Sequence, residues 1–309
     1  MNILCLFAGQ GFQQQNLFEV FKNNQQALDL VQEFSKRTSM DLLQTHLPIA
    51  DPSYSQLIIG AYQLILFRML EPLLANHQLD CAGYSLGEVS AFLASTYAST
   101  STTYQVLSYR TQLMASIFTK EPIEQYDLLF VVGTFTLEAI NELCHRYECF
   151  IAIINLQYHL VIGGTVTNLQ RLQLELPSYK VKQSKFLNIH LPSHTPFYQD
   201  KKGLFHQFLA SMDLNRLYYP LFSPIKLTKI YDSTEEQQLL DQELYTCLQW
   251  GKVCDLISEY QYDLIIDLGP GQSMTSLLNR TSTNSKLISV AQYKSIDGII
   301  GSIARQINL

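Results

Sequence analysis

The sequence predicts an α/β protein in two parts, a large domain built on a parallel sheet and a small α+β subdomain inserted into it. Three observations lead there. Strand-like and helix-like segments alternate through the first 125 residues, the pattern of a parallel sheet covered by helices. The order changes to β-α-β-β-α-β over residues 126–189, which is that of a ferredoxin-like unit. A buried strand at Leu264-Ile265-Ile266-Asp267-Leu268, closed by Gly269-Pro270-Gly271, then resumes the first pattern. The large domain is therefore expected to span 1–125 and 190–309, with the subdomain at 126–189.

In chain order, Ile3 to Phe7 reads as a first buried strand, and helical stretches follow through Phe34. A long apolar helix is expected from about Gln56 to Leu74. Leu79-Asp80-Cys81-Ala82 closes a short buried strand, Glu88 to Ala94 has helical composition, and a further helix covers Thr102 to Phe118. Within the insert, Leu128–Val132, Phe150–Asn155, Leu160–Ile162 and Val181–Ile189 read as strands, and Thr136–Tyr147 and Asn168–Leu176 as helices. Beyond it, Leu204 to Met212 looks helical.

Composition narrows the function. With 309 residues, 47% of them hydrophobic and 16% charged, the chain can bury a large core. A formal charge of -6 argues against general nucleic-acid binding, which needs a dominant basic surface. No run of about 18 apolar residues is present, so no membrane span is expected. The N-terminus lacks a basic lead and reads as a strand, not a secretory signal. Six cysteines without a C-x-x-C pair fit reduced thiols, and a cytoplasmic location is expected. Cys144, His145 and Cys149 lie close together, but no second ligand pair follows, and no metal is expected.

The chemistry centres on Gly83-Tyr84-Ser85-Leu86-Gly87, a G-x-S-x-G elbow between a strand and a helix. Such a turn lifts the serine hydroxyl clear of the sheet, and the start of the helix offers free N–H groups to developing negative charge. Ser85 is thus the candidate nucleophile on a hydrolase-like α/β domain. A serine needs a base within reach. Of seven histidines, His190 and His194 stand out, because they follow the last strand of the insert where the chain re-enters the large domain. Pro192 between them disfavours the regular helix that a metal-binding H-x-x-x-H pair requires.

Two further residues are singled out. Leu107, Arg110 and Met114 fall at i, i+3 and i+7, so Arg110 lies on the apolar face of its helix. A guanidinium there is held in a buried ion pair, snorkels to water, or grips a substrate carboxylate. Gln10, in Gly9-Gln10-Gly11 after the first strand, is placed at the carboxyl edge of a parallel sheet, facing the elbow. Its N–H and that of Leu86 could form an oxyanion hole, or the glycines could mark a plain turn.

Together these segments resemble the malonyl-CoA:acyl-carrier-protein transacylase family over nearly the whole chain and in the same order. Phe7-Ala8-Gly9-Gln10-Gly11 resembles F-P-G-Q-G, and Gly83 to Glu88 resembles G-H-S-L-G-E. Arg110 with Met114 matches the family's arginine motif, and Asn155 with Val161-Ile162-Gly163-Gly164 resembles its asparagine-containing hairpin. Pro192-Ser193-His194 matches the histidine motif, and Leu268-Gly269-Pro270-Gly271 the G-P-G strand end. The resemblance implies that Ser85 attacks the thioester, His194 is the base, and Arg110 and Asn155 bind substrate. Gln10 and Leu86 are implied as oxyanion donors, and the main-chain carbonyl of Glu243, where a glutamine is usual, as the group that orients His194. The implied substrates are malonyl-CoA and the thiol of an acyl carrier protein, of phosphopantetheine or dephospho-CoA type, with no bound cofactor.

Departures from the family pattern point to a branch. Ala8 replaces a proline, Phe12 a small residue, and Tyr84 the histidine before the nucleophile. G-Y-S-L-G-E with S-H-T-P resembles the malonyltransferase (epsilon) subunit of biotin-independent malonate decarboxylase, whose partner is that enzyme's carrier subunit. The alternatives are a fatty-acid-synthesis transacylase, a serine hydrolase and an idle carrier-docking subunit. A hydrolase of the α/β type places its histidine near the C-terminus, and here no histidine follows His206. Lys180, Lys182, Lys185, Lys201 and Lys202 either dock an acidic carrier or guard a strand edge.

Overall fold

The computed structural model describes residues 1–11, 15–119, 124–279 and 285–308; Phe12 lies outside them. The chain opens with β1 (Asn2–Phe7), α1 (Gln25–Thr38) and α2 (Pro52–Leu74), then β2 (Gln78–Gly83), α3 (Leu86–Ser95) and α4 (Thr100–Ala115). Helix starts follow their caps: Asn24, Asp51 and Ser99 each accept a backbone N–H of the first turn. α2 is apolar on all sides because it is a core helix. It is long and apolar enough to span a membrane, yet 78% of its most apolar window is buried inside the fold.

The insert consists of β3 (Tyr126–Gly133), α5 (Leu137–Arg146), β4 (Phe150–Leu156), β5 (His159–Thr165), α6 (Val166–Glu175) and β6 (Val181–Phe186). Its four strands form an antiparallel sheet in the order β4-β5-β3-β6, the ferredoxin-like arrangement expected from the element order. Leu129, Val131, Leu160 and Ile162 point to α5 and α6 and build a separate small core with Cys144 and Cys149. β6 is an edge strand that exposes Lys182 and Lys185, as a lysine-guarded edge does. It stops at Phe186, short of the expected Ile189. The Asp127 carboxylate accepts the N–H groups of Asn188, Ile189 and His190 and leads the chain out of the sheet.

After the insert come α7 (Leu204–Ala210), β7 (Leu221–Phe222), β8 (Lys229–Ile230), α8 (Ser233–Glu243), α9 (Trp250–Tyr260), β9 (Leu264–Asp267), α10 (Ser273–Leu278), β10 (Lys286–Ser289) and α11 (Ile296–Ile307). The main sheet runs β10-β9-β1-β2-β7-β8 and is parallel except for the β7–β8 pair. β1 shows the period of two: Ile3, Cys5 and Phe7 face the core of α2 and α3, whereas Leu4, Leu6 and Ala8 face Trp250, Val253 and Ile257 of α9. Because β1, β2 and β9 are parallel, the Gln10 loop, the Ser85 elbow and the Gly269 loop all leave the same edge of the sheet. Buried Gln63 of α2 ties two of these loops, donating to the carbonyls of Ala8 (2.7 Å) and Gly269 (2.6 Å).

Candidate active site

Between β2 and α3, Ser85 adopts φ 55° and ψ -117°, a conformation that a side-chain-bearing residue takes only where its surroundings hold it. The glycines on either side explain what holds it. A Cβ on Gly83 would lie 2.1 Å from the Glu88 nitrogen, and one on Gly87 would lie 1.9 Å from the Phe7 carbonyl oxygen. Neither atom can move aside, since both are main chain. The Tyr84 N–H also donates to the Phe7 carbonyl (2.9 Å), so the elbow is seated on the end of β1. Gly87→Ala is therefore expected to destabilise the fold by at least about 2 kcal/mol through overpacking. A denaturant midpoint unchanged from the native chain would contradict this packing.

His194 meets the serine from the opposite side. Its Nε2 lies 2.7 Å from Ser85 Oγ, and its Nδ1 lies 2.7 Å from the main-chain oxygen of Glu243. A carbonyl can only accept, so Nδ1 carries the proton and Nε2 is left to accept from the Ser85 hydroxyl. The His194 N–H is anchored to the Leu244 carbonyl (3.0 Å), and the residue takes a positive φ of 63°. The loop after the insert and the end of α8 are thereby clamped together. His190 is exposed and its N–H turns to Asp127, so it stays outside the pair.

Burial, with the Arg110 charge adding to it, pushes the His194 imidazole down to about 3. The imidazole is thus neutral throughout the physiological range. In an unfolded chain it takes a proton below about pH 6.5. Stability tied to this group is present above that value and is lost as pH falls from about 6.5 toward 3. The same shift predicts that kcat/KM for a reaction using this imidazole as base shows no acid limb between pH 7 and 5. A limb centred near 6.5 would mean that the imidazole titrates as if exposed.

Arg110, Leu107 and Met114 are all buried, as their spacing on α4 predicts. The guanidinium Nη1 donates to Gln56 Oε1 on α2 (2.6 Å), while Nε and Nη2 have no hydrogen-bond acceptor among the described residues. Glu243, Tyr198 and Glu88 are the groups whose charge bears on it. Glu88, Glu236 and Glu243 are each at most 1% exposed, and burial raises all three carboxyls, Glu236 and Glu243 to about 8. Sequence reasoning singled out only the Glu243 main chain. Glu88 was visible inside the elbow motif, but Gln56 is hidden in an apolar run and Glu236 in a polar one.

The Leu86 N–H is the first of α3 and has no intrahelical acceptor. The neighbouring loop packs on the elbow so closely that a Cβ on Gly9 would lie 2.8 Å from the Tyr84 oxygen. Gln10 lies in that loop, its side chain donating to Ser55 Oγ (2.6 Å) on α2. A cavity of about 160 Å³ opens there between Gln10, Pro52, Ser55 and the Leu187–Ile189 segment. Asn155 is placed differently: it is buried and hydrogen-bonded to Tyr84, whose ring meets Trp250 edge-on at 5.3 Å. Its Oδ1 has no donor among the described residues.

The architecture is hydrolase-like: a parallel α/β core with a serine elbow carries a ferredoxin-like insert whose exit loop bears the histidine. No protein-family model matches the chain. The chain is 21% identical to the malonyl CoA-acyl carrier protein transacylase of Buchnera aphidicola over 285 residues, 89% of this chain and 91% of the relative. Its fold is similar to that of the Helicobacter pylori malonyl-CoA:acyl carrier protein transacylase, with a TM-score of 0.88 at 22% identity, covering 98% of both chains. It is also similar to a malonyl-transacylase solved in complex with a type II PKS acyl-carrier protein, with a TM-score of 0.87 at 18% identity over 98% of this chain and 100% of the other. The likeness to the solved structures is one of fold over nearly the whole chain.

Proposed function

We propose that the chain is a malonyl-CoA:acyl-carrier-protein S-malonyltransferase that works through a seryl ester on Ser85. The observation that supports it most is the Ser85–His194–Glu243 main-chain relay beside a buried arginine with two unpartnered nitrogens. His194 Nε2 takes the Ser85 proton as Oγ attacks the malonyl thioester carbon. The oxyanion collapses, the C–S bond breaks, and the proton passes from Nε2 to the departing CoA sulfur. In the second half, Nε2 takes the proton of the carrier thiol, whose sulfur attacks the ester and returns Oγ to the proton. The N–H groups of Gln10 and Leu86 hold the oxyanion in both halves, and Arg110 pairs with the free malonyl carboxylate. Asn155 serves the acyl pocket through its bond to Tyr84.

The similar transacylases favour an acyl carrier protein with a phosphopantetheine thiol as the acceptor, the fatty-acid or polyketide type. The resemblance of G-Y-S-L-G-E, with Tyr84 before the serine, to the malonate decarboxylase subunit favours that enzyme's carrier with its dephospho-CoA-derived thiol instead. Offering malonyl-CoA with each carrier, and weighing both carriers by intact mass, tests the function and the branch together. Malonyl on a carrier thiol supports the reading. Free malonate and CoA with no carrier adduct would replace it with hydrolysis.

A further inference from the structure

Beside His194, three buried carboxyls from two helices cluster, two of them next to one guanidinium. Glu88 comes from α3 and Glu236 and Glu243 from α8; the charge of Arg110 on α4 bears on Glu88 and Glu243, and Glu236 joins the group through Glu88. His194 and Tyr198, from the loop after the insert, complete the surroundings, and Glu235 approaches Glu236 from the solvent side. Glu88 and Glu236 meet carboxyl to carboxyl, a contact that requires a proton on one of them. The Glu243 carboxyl is 4.0 Å from His194 Nδ1, and neither of its oxygens has a hydrogen-bond donor among the described residues. Arg110 Nε and Nη2 likewise lack an acceptor. A free donor pair and a free acceptor pair thus share one water-excluded space.

We propose that Glu243 is a specificity-determining residue: once ionised it occupies Arg110, so that binding of an acyl carboxylate and protonation of Glu243 are linked. The inference rests on Arg110 being the partner of the malonyl carboxylate. When that carboxylate takes the guanidinium, an ionised Glu243 loses its counter-ion and gains a proton from solvent. When Glu243 is already protonated, Arg110 is open and no proton moves. A glutamine at this position would leave Arg110 open at every pH, whereas the glutamate closes it under alkaline conditions. The titration of Glu243 near 8 sets where that happens. In the free protein Glu243 ionises above this value, and in the acyl-bound protein only at a higher one. Malonyl affinity is therefore constant below about pH 8 and falls up to about tenfold per pH unit above it.

The test uses the Ser85→Ala chain, which binds acyl-CoA without reacting, and isothermal titration between pH 7 and 9.5. Malonyl-CoA affinity is expected to fall about fivefold from pH 8 to 9 while acetyl-CoA affinity stays level. Adding Glu243→Gln is expected to make the malonyl profile level too. A second readout needs no change at Glu243: titrations at pH 8.5 in two buffers of different ionisation heat are expected to show uptake of a proton with malonyl-CoA and none with acetyl-CoA. A level malonyl profile with no proton uptake overturns the linkage, and so does an unchanged slope in the glutamine variant. Malonyl-CoA that binds no better than acetyl-CoA at any pH overturns instead the role of Arg110.

Discussion

Ser85→Ala is expected to abolish self-malonylation and to lower transfer to a carrier on the order of 10⁶-fold, the loss typical when one member of a serine–histidine unit is removed. The structure allows this to be read as chemistry. Ser85 stands at the N-terminus of α3, but its side chain caps no backbone N–H, so alanine removes no helix cap. The turn is held by Gly83 and Gly87 against Glu88 and Phe7, contacts that do not involve the hydroxyl. Its only hydrogen-bond partner among the described residues is His194 Nε2 at 2.7 Å. Thermal unfolding close to that of the native chain, together with loss of the malonyl adduct by intact mass, is the expected pair of results. His194→Ala should cost nearly as much, and the double change little more, because the two act as a unit. An adduct that persists in Ser85→Ala would move the acyl group to another residue.

Much of this site was legible in the sequence because its parts are local. G-Y-S-L-G fixes a strand, a sharp turn and a helix within a few residues, and the Ser85 backbone obeys it. The β-α-β-β-α-β order of the insert was equally clear, since each element alternates or repeats with its own period. The C-terminal third was harder. β7 and β8 contain two residues each, too few for any period to show. α8 buries Glu236, Gln237, Asp241 and Glu243 on its inner side, so the polar residues that mark an exposed face in most helices here mark the core. That reversal also hid the carboxyl cluster. Its cause is tertiary: Glu243 meets Arg110 and Glu236 meets Glu88, each more than 100 residues away in sequence, and no local pattern announces either meeting. Asn155 shows the same limit, for its motif was readable but its bond to Tyr84 was not.

Arg110→Ala is expected to lower kcat/KM for malonyl transfer about 10- to 150-fold and to leave acetyl transfer within a few fold. The figure is the loss of one charge-assisted pairing, about 1.5–3 kcal/mol. Acetyl lacks the carboxylate, so it never used that pairing, and the ratio of the two acyl groups isolates it. The ratio also guards against a trivial outcome. Arg110 is fully buried and holds Gln56 Oε1, so alanine leaves a cavity and an unsatisfied amide oxygen, worth about 1–3 kcal/mol of stability. Loss of folded protein would depress both acyl groups together, whereas loss of the carboxylate partner depresses only one. Arg110→Lys sharpens the argument. An ammonium restores the charge but not the planar fork, which here must serve Gln56 through Nη1 and the substrate through Nε and Nη2 at once. Its malonyl rate should therefore lie between those of alanine and arginine. Equal loss for malonyl and acetyl in both variants would make Arg110 a structural residue, and the preference for malonyl would then have to come from elsewhere in the cavity.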